Sequence, residues 1–128
     1  MIFVDTNVFI YAVGRAHPLK AQARSFFSQA IENQQDRLVT SAEVLQELLH
    51  AYLPVGRLET LAAALELAYR ATDEIWPLEP DDVSTAHALA TEYPALGARD
   101  LIHLASCRRR GIKRIQTYDR ALAAAFGR

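Results

Sequence analysis

A chain of 128 residues, 51% hydrophobic and 23% charged, has enough apolar surface for one folded domain over residues 1–128 and too little length for two of ordinary size. The composition excludes a disordered tail, and a single cysteine, Cys107, excludes both an internal disulfide framework and a Cys-rich zinc site. A net charge of −1 excludes a strong global pull towards nucleic acid, and no apolar run approaches membrane-spanning length.

The first apolar stretch carries Asp5 and Asn7 and has no basic segment ahead of it, so it does not read as a signal peptide. With one thiol and no membrane segment, a reducing cytoplasm is the expected location. Ile2, Phe3 and Val4 form a short β-branched and aromatic run, predicted as a buried strand that delivers Asp5 at its carboxyl end, with Thr6 or Asn7 capping the segment after it. After Gly14 and the His17-Pro18 turn, residues 19–33 have the spacing of an amphipathic helix, with Phe26, Phe27, Ala30 and Ile31 on its apolar side. Residues 37–40 are predicted as a second strand. Thr40-Ser41-Ala42-Glu43 matches a capping box, with Thr40 as N-cap and Glu43 reaching back, and opens a helix to about Leu53.

Pro54 and Gly56 interrupt the chain, residues 58–72 are rich in helix formers, residues 74–78 are a brief strand, and residues 81–93 form another helix after Glu79-Pro80. Pro94 and Gly97 mark a loop. A helix from Arg99 or Asp100 to Arg110 is stopped by Gly111, residues 113–117 form a strand, and Asp119 caps a short terminal helix. Strands alternating with helices predict a parallel sheet covered on both faces.

In such a sheet the loops beyond the strand carboxyl ends converge on one crevice, so carboxylates distant in sequence can meet there. Asp5, Glu47, Asp100 and Asp119 fall at that edge. Carboxylates that meet require a cation, and hard divalent ions suit an all-oxygen ligand set. Each acid also has a plainer reading: Asp5, Asp100 and Asp119 as helix caps, and Glu43 as the capping partner of Thr40, which leaves Glu47, flanked by Leu45, Leu48 and Leu49, as the acid that needs a counter-charge. His103, one turn after Asp100, is expected to pack and hydrogen-bond within the helices rather than act as a base. Arg108, Arg109, Arg110, Lys113 and Arg114 form a basic cluster that either tracks phosphates or, at Arg108, Arg109 and Arg110, simply closes a helix, where cations favour the dipole's negative end. Arg15, His17, Lys20 and Arg24 form a second cluster.

The segments Val4-Asp5-Thr6-Asn7-Val8, Leu45-Gln46-Glu47-Leu48, Arg99-Asp100-Leu101-Ile102-His103-Leu104-Ala105 and Gln116-Thr117-Tyr118-Asp119, in this order, resemble the PIN-domain ribonucleases, and most closely the VapC toxin branch of the VapBC toxin–antitoxin systems. The resemblance covers the whole chain. It implies an α/β, three-layer α/β/α PIN-like fold with a short parallel central sheet, and Mg²⁺- or Mn²⁺-dependent cleavage of RNA. It further implies homodimerisation and neutralisation by a small antitoxin protein. The family's four acidic positions fall on Asp5, Glu47, Asp100 and Asp119, which the resemblance makes both catalytic and metal-binding, with Thr6, Asn7 and Thr117 in support. Two other readings stand beside it: a non-catalytic RNA-binding or assembly module on the same fold, and an aspartate-nucleophile phosphatase. The latter requires an Asp where this chain has Asn7.

Overall fold

Ile2–Val4 forms strand β1 and is buried along its whole length, as a central parallel strand covered on both faces must be. The computed structural model describes residues 1–33 and 36–127. Among these, β1, β2 (Leu38–Ser41), β3 (Glu74–Trp76) and β4 (Arg114–Gln116) make one parallel sheet in the order β3-β2-β1-β4. The register sets Ile2 beside Leu38 on one side and Arg114 on the other, and Ser41 beside Trp76.

This strand order dictates the layers. The steps from β1 to β2 to β3 run one way across the sheet, and right-handed crossovers place the intervening helices on one face: α1 (Thr6–Val13), α2 (Pro18–Asn33), α3 (Ala42–Tyr52) and α4 (Leu58–Ala71), which pack on one another. The step from β3 to β4 reverses direction and carries α5 (Pro80–Leu89) and α6 (Ala98–Arg109) to the other face, where α7 (Arg120–Phe126) joins α6 and β4. The result is the three-layer α/β/α arrangement implied by the sequence. The larger apolar cluster joins Phe3, Val8, Phe9, Val39, Val44 and Leu48, with Phe3 stacked on Trp76 at 5.6 Å between centroids. A smaller one joins Tyr93, Leu96, Leu104 and Leu122 on the other face. At about 1.5–3 kcal/mol for each fully buried large apolar side chain, these clusters are the main force holding the layers together.

Several predicted helix starts are displaced by a residue or two, with chemical consequences. Asp5, not Thr6 or Asn7, is the N-cap of α1, accepting from the Thr6 backbone N–H. Ser41, not Thr40, is the N-cap of α3: its hydroxyl accepts from Val44 N at 3.3 Å, while Thr40 is fully buried and donates to Val4 O across the sheet at 2.9 Å. A β-branched hydroxyl one residue earlier is still in the strand, so β2 claims it. α6 begins at Ala98 with Gly97 as its N-cap, which places Asp100 inside the first turn rather than at the cap. At the far end of α6, Gly111 adopts φ +72°, a left-handed conformation that glycine accommodates and other residues disfavour by about 1–2 kcal/mol. Ile31, expected on the apolar face of its helix, is 58% exposed at the end of α2.

The arginine run is committed to the fold. Asp82 on α5 is completely buried and accepts from Arg109 Nη1 at 2.6 Å, Arg110 Nη1 at 2.8 Å and Glu79 N at 2.9 Å. Arg110 also lies over the Trp76 ring, and Arg108 lies over the Tyr93 ring and donates to its hydroxyl. These contacts fasten α5 to the carboxyl-terminal end of α6, about 14 Å along the helix from Asp100. The helix-closing reading of the cluster therefore has partners in the structure.

Candidate functional site

The strand order reverses between β1 and β4, and the crevice beyond their carboxyl ends is where a doubly wound sheet binds its ligands. The backbone joins the two strand ends directly, Asp5 N donating to Gln116 O at 3.0 Å. Asp5 leaves β1 at this point and Thr117-Tyr118-Asp119 leaves β4. Glu47 arrives from the second turn of α3, and Asp100 from the first turn of α6. Asp5, Thr6, Asn7, Ile10, Glu47, His50, Ala51, Arg99, Asp100 and Asp119 line one open cleft of about 310 Å³. The four acids singled out in the sequence are thus brought together, although 114 positions separate the first from the last.

The side chains around the cleft are held by hydrogen bonds. Thr117 Oγ1 donates to Asp5 Oδ2 at 2.7 Å and accepts from Asn7 Nδ2 at 3.2 Å and Asp119 N at 3.1 Å, so one hydroxyl ties both strand ends to α1. Asn7 Oδ1 in turn accepts from Tyr118 N at 3.1 Å. Thr6 Oγ1 donates to Glu47 Oε1 at 3.1 Å. Asp119 Oδ1 accepts from Leu122 N at 3.0 Å, so Asp119 caps α7 and lines the cleft at once. Asp5 and Asp119 thus each cap a helix and line the cleft.

His103 is the residue that sequence reasoning set aside. It is fully buried behind the cleft floor, with Nε2 hydrogen-bonded to Glu47 Oε1 and 3.7 Å from Asp5 Oδ1. One ligand atom from each of Asp5, Glu47 and His103 lies within 4.8 Å of the others. The available signal was its position one helical turn after Asp100, hence on the same face of α6. Arg99, also in the cleft lining, is a cation at the rim that the sequence did not distinguish.

The electrostatics are those of crowded anions. Burial pushes the Asp100 carboxyl up from 3.8 to about 6, and the negative charges of Asp5 and Asp119 add to the push. Burial likewise raises the Asp5 carboxyl, against the opposing pull of His103 and the Thr117 hydrogen bond. Burial works against a charged His103, but the Glu47 hydrogen bond and Asp5 outweigh it and raise its pKa. Four carboxylates in one cleft, three of them held by fixed donors and two of them, Asp5 and Asp100, raised in pKa by desolvation and neighbouring carboxylates, fit a hard divalent cation by donor type and by unbalanced charge.

The fold and this cleft belong to a class of proteins: residues 2–126 match the PIN domain family, and the chain is a member of it. Within that family it is a VapC-type protein. It is 62% identical over 126 residues to the ribonuclease VapC23 of Mycobacterium tuberculosis, covering 98% of each chain, and 38% identical over 120 residues to the ribonuclease VapC13 of the same species, covering 94% of this chain and 91% of that one. The crystal structure of Mycobacterium tuberculosis VapC20, described as a sarcin–ricin loop cleaving toxin, superposes with a TM-score of 0.72 over 98% of this chain and 95% of that one; at 19% identity this likeness shows the fold. Among the described residues no helix is long and apolar enough to cross a membrane.

Proposed function

We propose that this chain is an endoribonuclease whose activity depends on Mg²⁺ or Mn²⁺ held by Asp5, Glu47, Asp100 and Asp119, and that it is the toxin of a type II toxin–antitoxin pair. The observation that carries the reading is the convergence of these four carboxylates on one cleft at the β1/β4 switch point, in a chain closely similar to named ribonucleases. When bound, a divalent ion would supply Lewis acidity that activates water and neutralises charge on the scissile phosphate. The protein's own residues do the rest. Asp5 is fixed by Thr117 and the Thr6 backbone, Glu47 by Thr6 and His103, and Asp119 by the start of α7, so these three carboxylates are set before substrate arrives. Arg99 at the rim offers a bidentate contact to a neighbouring phosphate.

As partners we propose RNA as substrate, a second copy of the chain in a homodimer, and a small antitoxin whose arginine pairs with the acids and shuts the cleft. The phosphatase reading is weakened by Asn7, whose amide is engaged by Thr117 and Tyr118 and cannot serve as a general acid. The test is cleavage of RNA by the purified protein with Mn²⁺, with Mg²⁺ and with a chelator, beside Asp5→Asn. Cleavage is expected only with metal and only in the unsubstituted chain. Full activity in chelator or in Asp5→Asn would overturn the metal-dependent reading, and binding of RNA without cleavage under all conditions would favour the non-catalytic module.

A further inference from the structure

Resting on that metal-dependent reading, we infer that His103 is a positioning residue for the cation centre: its Nε2–H fixes the Glu47 carboxylate from behind the cleft, and it is not itself a metal ligand. The ring lies wholly out of solvent, tilted against Phe3 at 5.4 Å between centroids, and its two nitrogens face unlike surroundings. Nε2 faces the oxygens of Glu47 and Asp5, whereas Nδ1 is buried without a hydrogen-bond partner among the described residues.

That asymmetry selects the donor role. A proton on Nδ1 would leave a buried N–H unsatisfied and turn the Nε2 lone pair towards two carboxylates, which repel it. A proton on Nε2 satisfies the acids and leaves only a buried lone pair at Nδ1, a smaller cost. A metal-bound imidazole needs its lone pair at the metal, and its other N–H is then almost always held by a carboxylate, a carbonyl or water. Among the described residues no carboxylate or carbonyl holds Nδ1. His103 thus completes a close trio with Asp5 and Glu47 as donor to their oxygens rather than as a third ligand.

The consequence falls on Glu47. Its long side chain leaves α3 with several rotatable bonds, and freezing such a chain costs on the order of 1.5–2 kcal/mol of conformational entropy. Thr6 Oγ1 and His103 Nε2 both donate to Oε1, and among the described residues Oε2 accepts no hydrogen bond, which leaves that oxygen for a cation. Removing the buried donor should free the carboxylate and weaken the cation, while a side chain that carries an N–H to the same place should not.

The experiment uses the full chain and three variants, His103→Leu, His103→Gln and His103→Asn, with Mn²⁺ affinity measured by titration calorimetry and unfolding midpoints in chelator and in Mn²⁺. The amide nitrogen of Gln reaches approximately where Nε2 lies, and that of Asn approximately where Nδ1 lies. His103→Leu and His103→Asn are expected to weaken Mn²⁺ binding about 10- to 100-fold, the scale for losing a partner of a metal ligand. His103→Gln is expected to remain within about threefold of the unsubstituted chain, because it restores the donor. If His103→Leu fails to fold, the contrast between Gln and Asn carries the same test. Equal loss in all three would overturn the donor role, and unchanged affinity in His103→Leu or His103→Asn would overturn positioning altogether. An unsubstituted chain that takes up no Mn²⁺ would overturn the metal-dependent reading, and this inference with it.

Discussion

Replacing Asp100 with Asn is expected to stabilise the metal-free protein while removing most of its response to Mn²⁺. The carboxyl is raised from 3.8 to about 6, first by burial and then by Asp5 and Asp119. At about 1.4 kcal/mol per pKa unit, keeping it ionised at neutral pH would cost at most about 3 kcal/mol. Asp100 is only half-buried, so solvent screening reduces this to roughly 1 kcal/mol. The sign is set by linkage: the folded state holds this proton more tightly than the unfolded state. The contribution to stability is therefore fully present below the unfolded value and is lost as pH rises through about 6, leaving a net penalty at neutral pH that Asn removes. In a domain of this size roughly 1 kcal/mol corresponds to an increase of about 3–5 °C in the unfolding midpoint. Thermal unfolding in chelator, at neutral pH and again near pH 5, should show that gain at the first and a smaller one at the second. Added Mn²⁺ should raise the midpoint of the unsubstituted chain and scarcely move that of Asp100→Asn. A midpoint for Asp100→Asn below the unsubstituted chain in chelator, or the full Mn²⁺ response in the variant, would refute the reasoning.

Glu47→Gln is expected to lower RNA cleavage by at least the roughly 10- to 100-fold that even an outer partner of a metal site costs, whereas Glu43→Gln, away from the cleft lining, should change activity little; comparable losses in a cleavage assay would mean that the wrong face of α3 had been assigned. Asp82→Ala should destabilise by about 3 kcal/mol, the low end for breaking a buried ion pair, because the Arg109 and Arg110 side chains are 26% and 20% exposed; denaturant unfolding measures it. Burial opposes ionisation of Asp82, yet hydrogen bonds from Arg110, Glu79 and Arg109 hold its pKa below the usual carboxylate value, so this stabilisation is present above that usual value and disappears as pH falls through the lowered one. Neutralising Arg109 and Arg110 should therefore reduce stability without changing the salt dependence of RNA binding, while Arg99→Gln should flatten that dependence by about one phosphate contact; the opposite pattern would return the arginine run to the RNA surface.

The sequence alone determined the succession of strands and helices, because backbone periodicity and helix breakers are local properties. Ile2, Phe3 and Val4 read as a buried strand because a central parallel strand is apolar on both faces, and Gly111 reads as a helix stop because few other residues adopt its conformation cheaply. The strand–helix alternation also put Asp5 and Asp119 on one edge of the sheet, since every strand end in such a sheet opens on the same side, while the pairing of β1 with β4 made them neighbours. What local pattern could not decide was which of two adjacent hydroxyls, Thr40 or Ser41, caps a helix, because the choice depends on where β2 stops pairing with its neighbours. Nor could it assign a partner to a side chain across the fold. Arg109 and Arg110 read as phosphate-tracking or helix-closing cations until α5 set Asp82 beneath them, and His103 read as a packed, hydrogen-bonded residue with no named partner until α3 carried Glu47 against its Nε2. Pairings of this kind join residues far apart in the chain, and only the packing of one helix on another decides which polar atoms are close enough to bond.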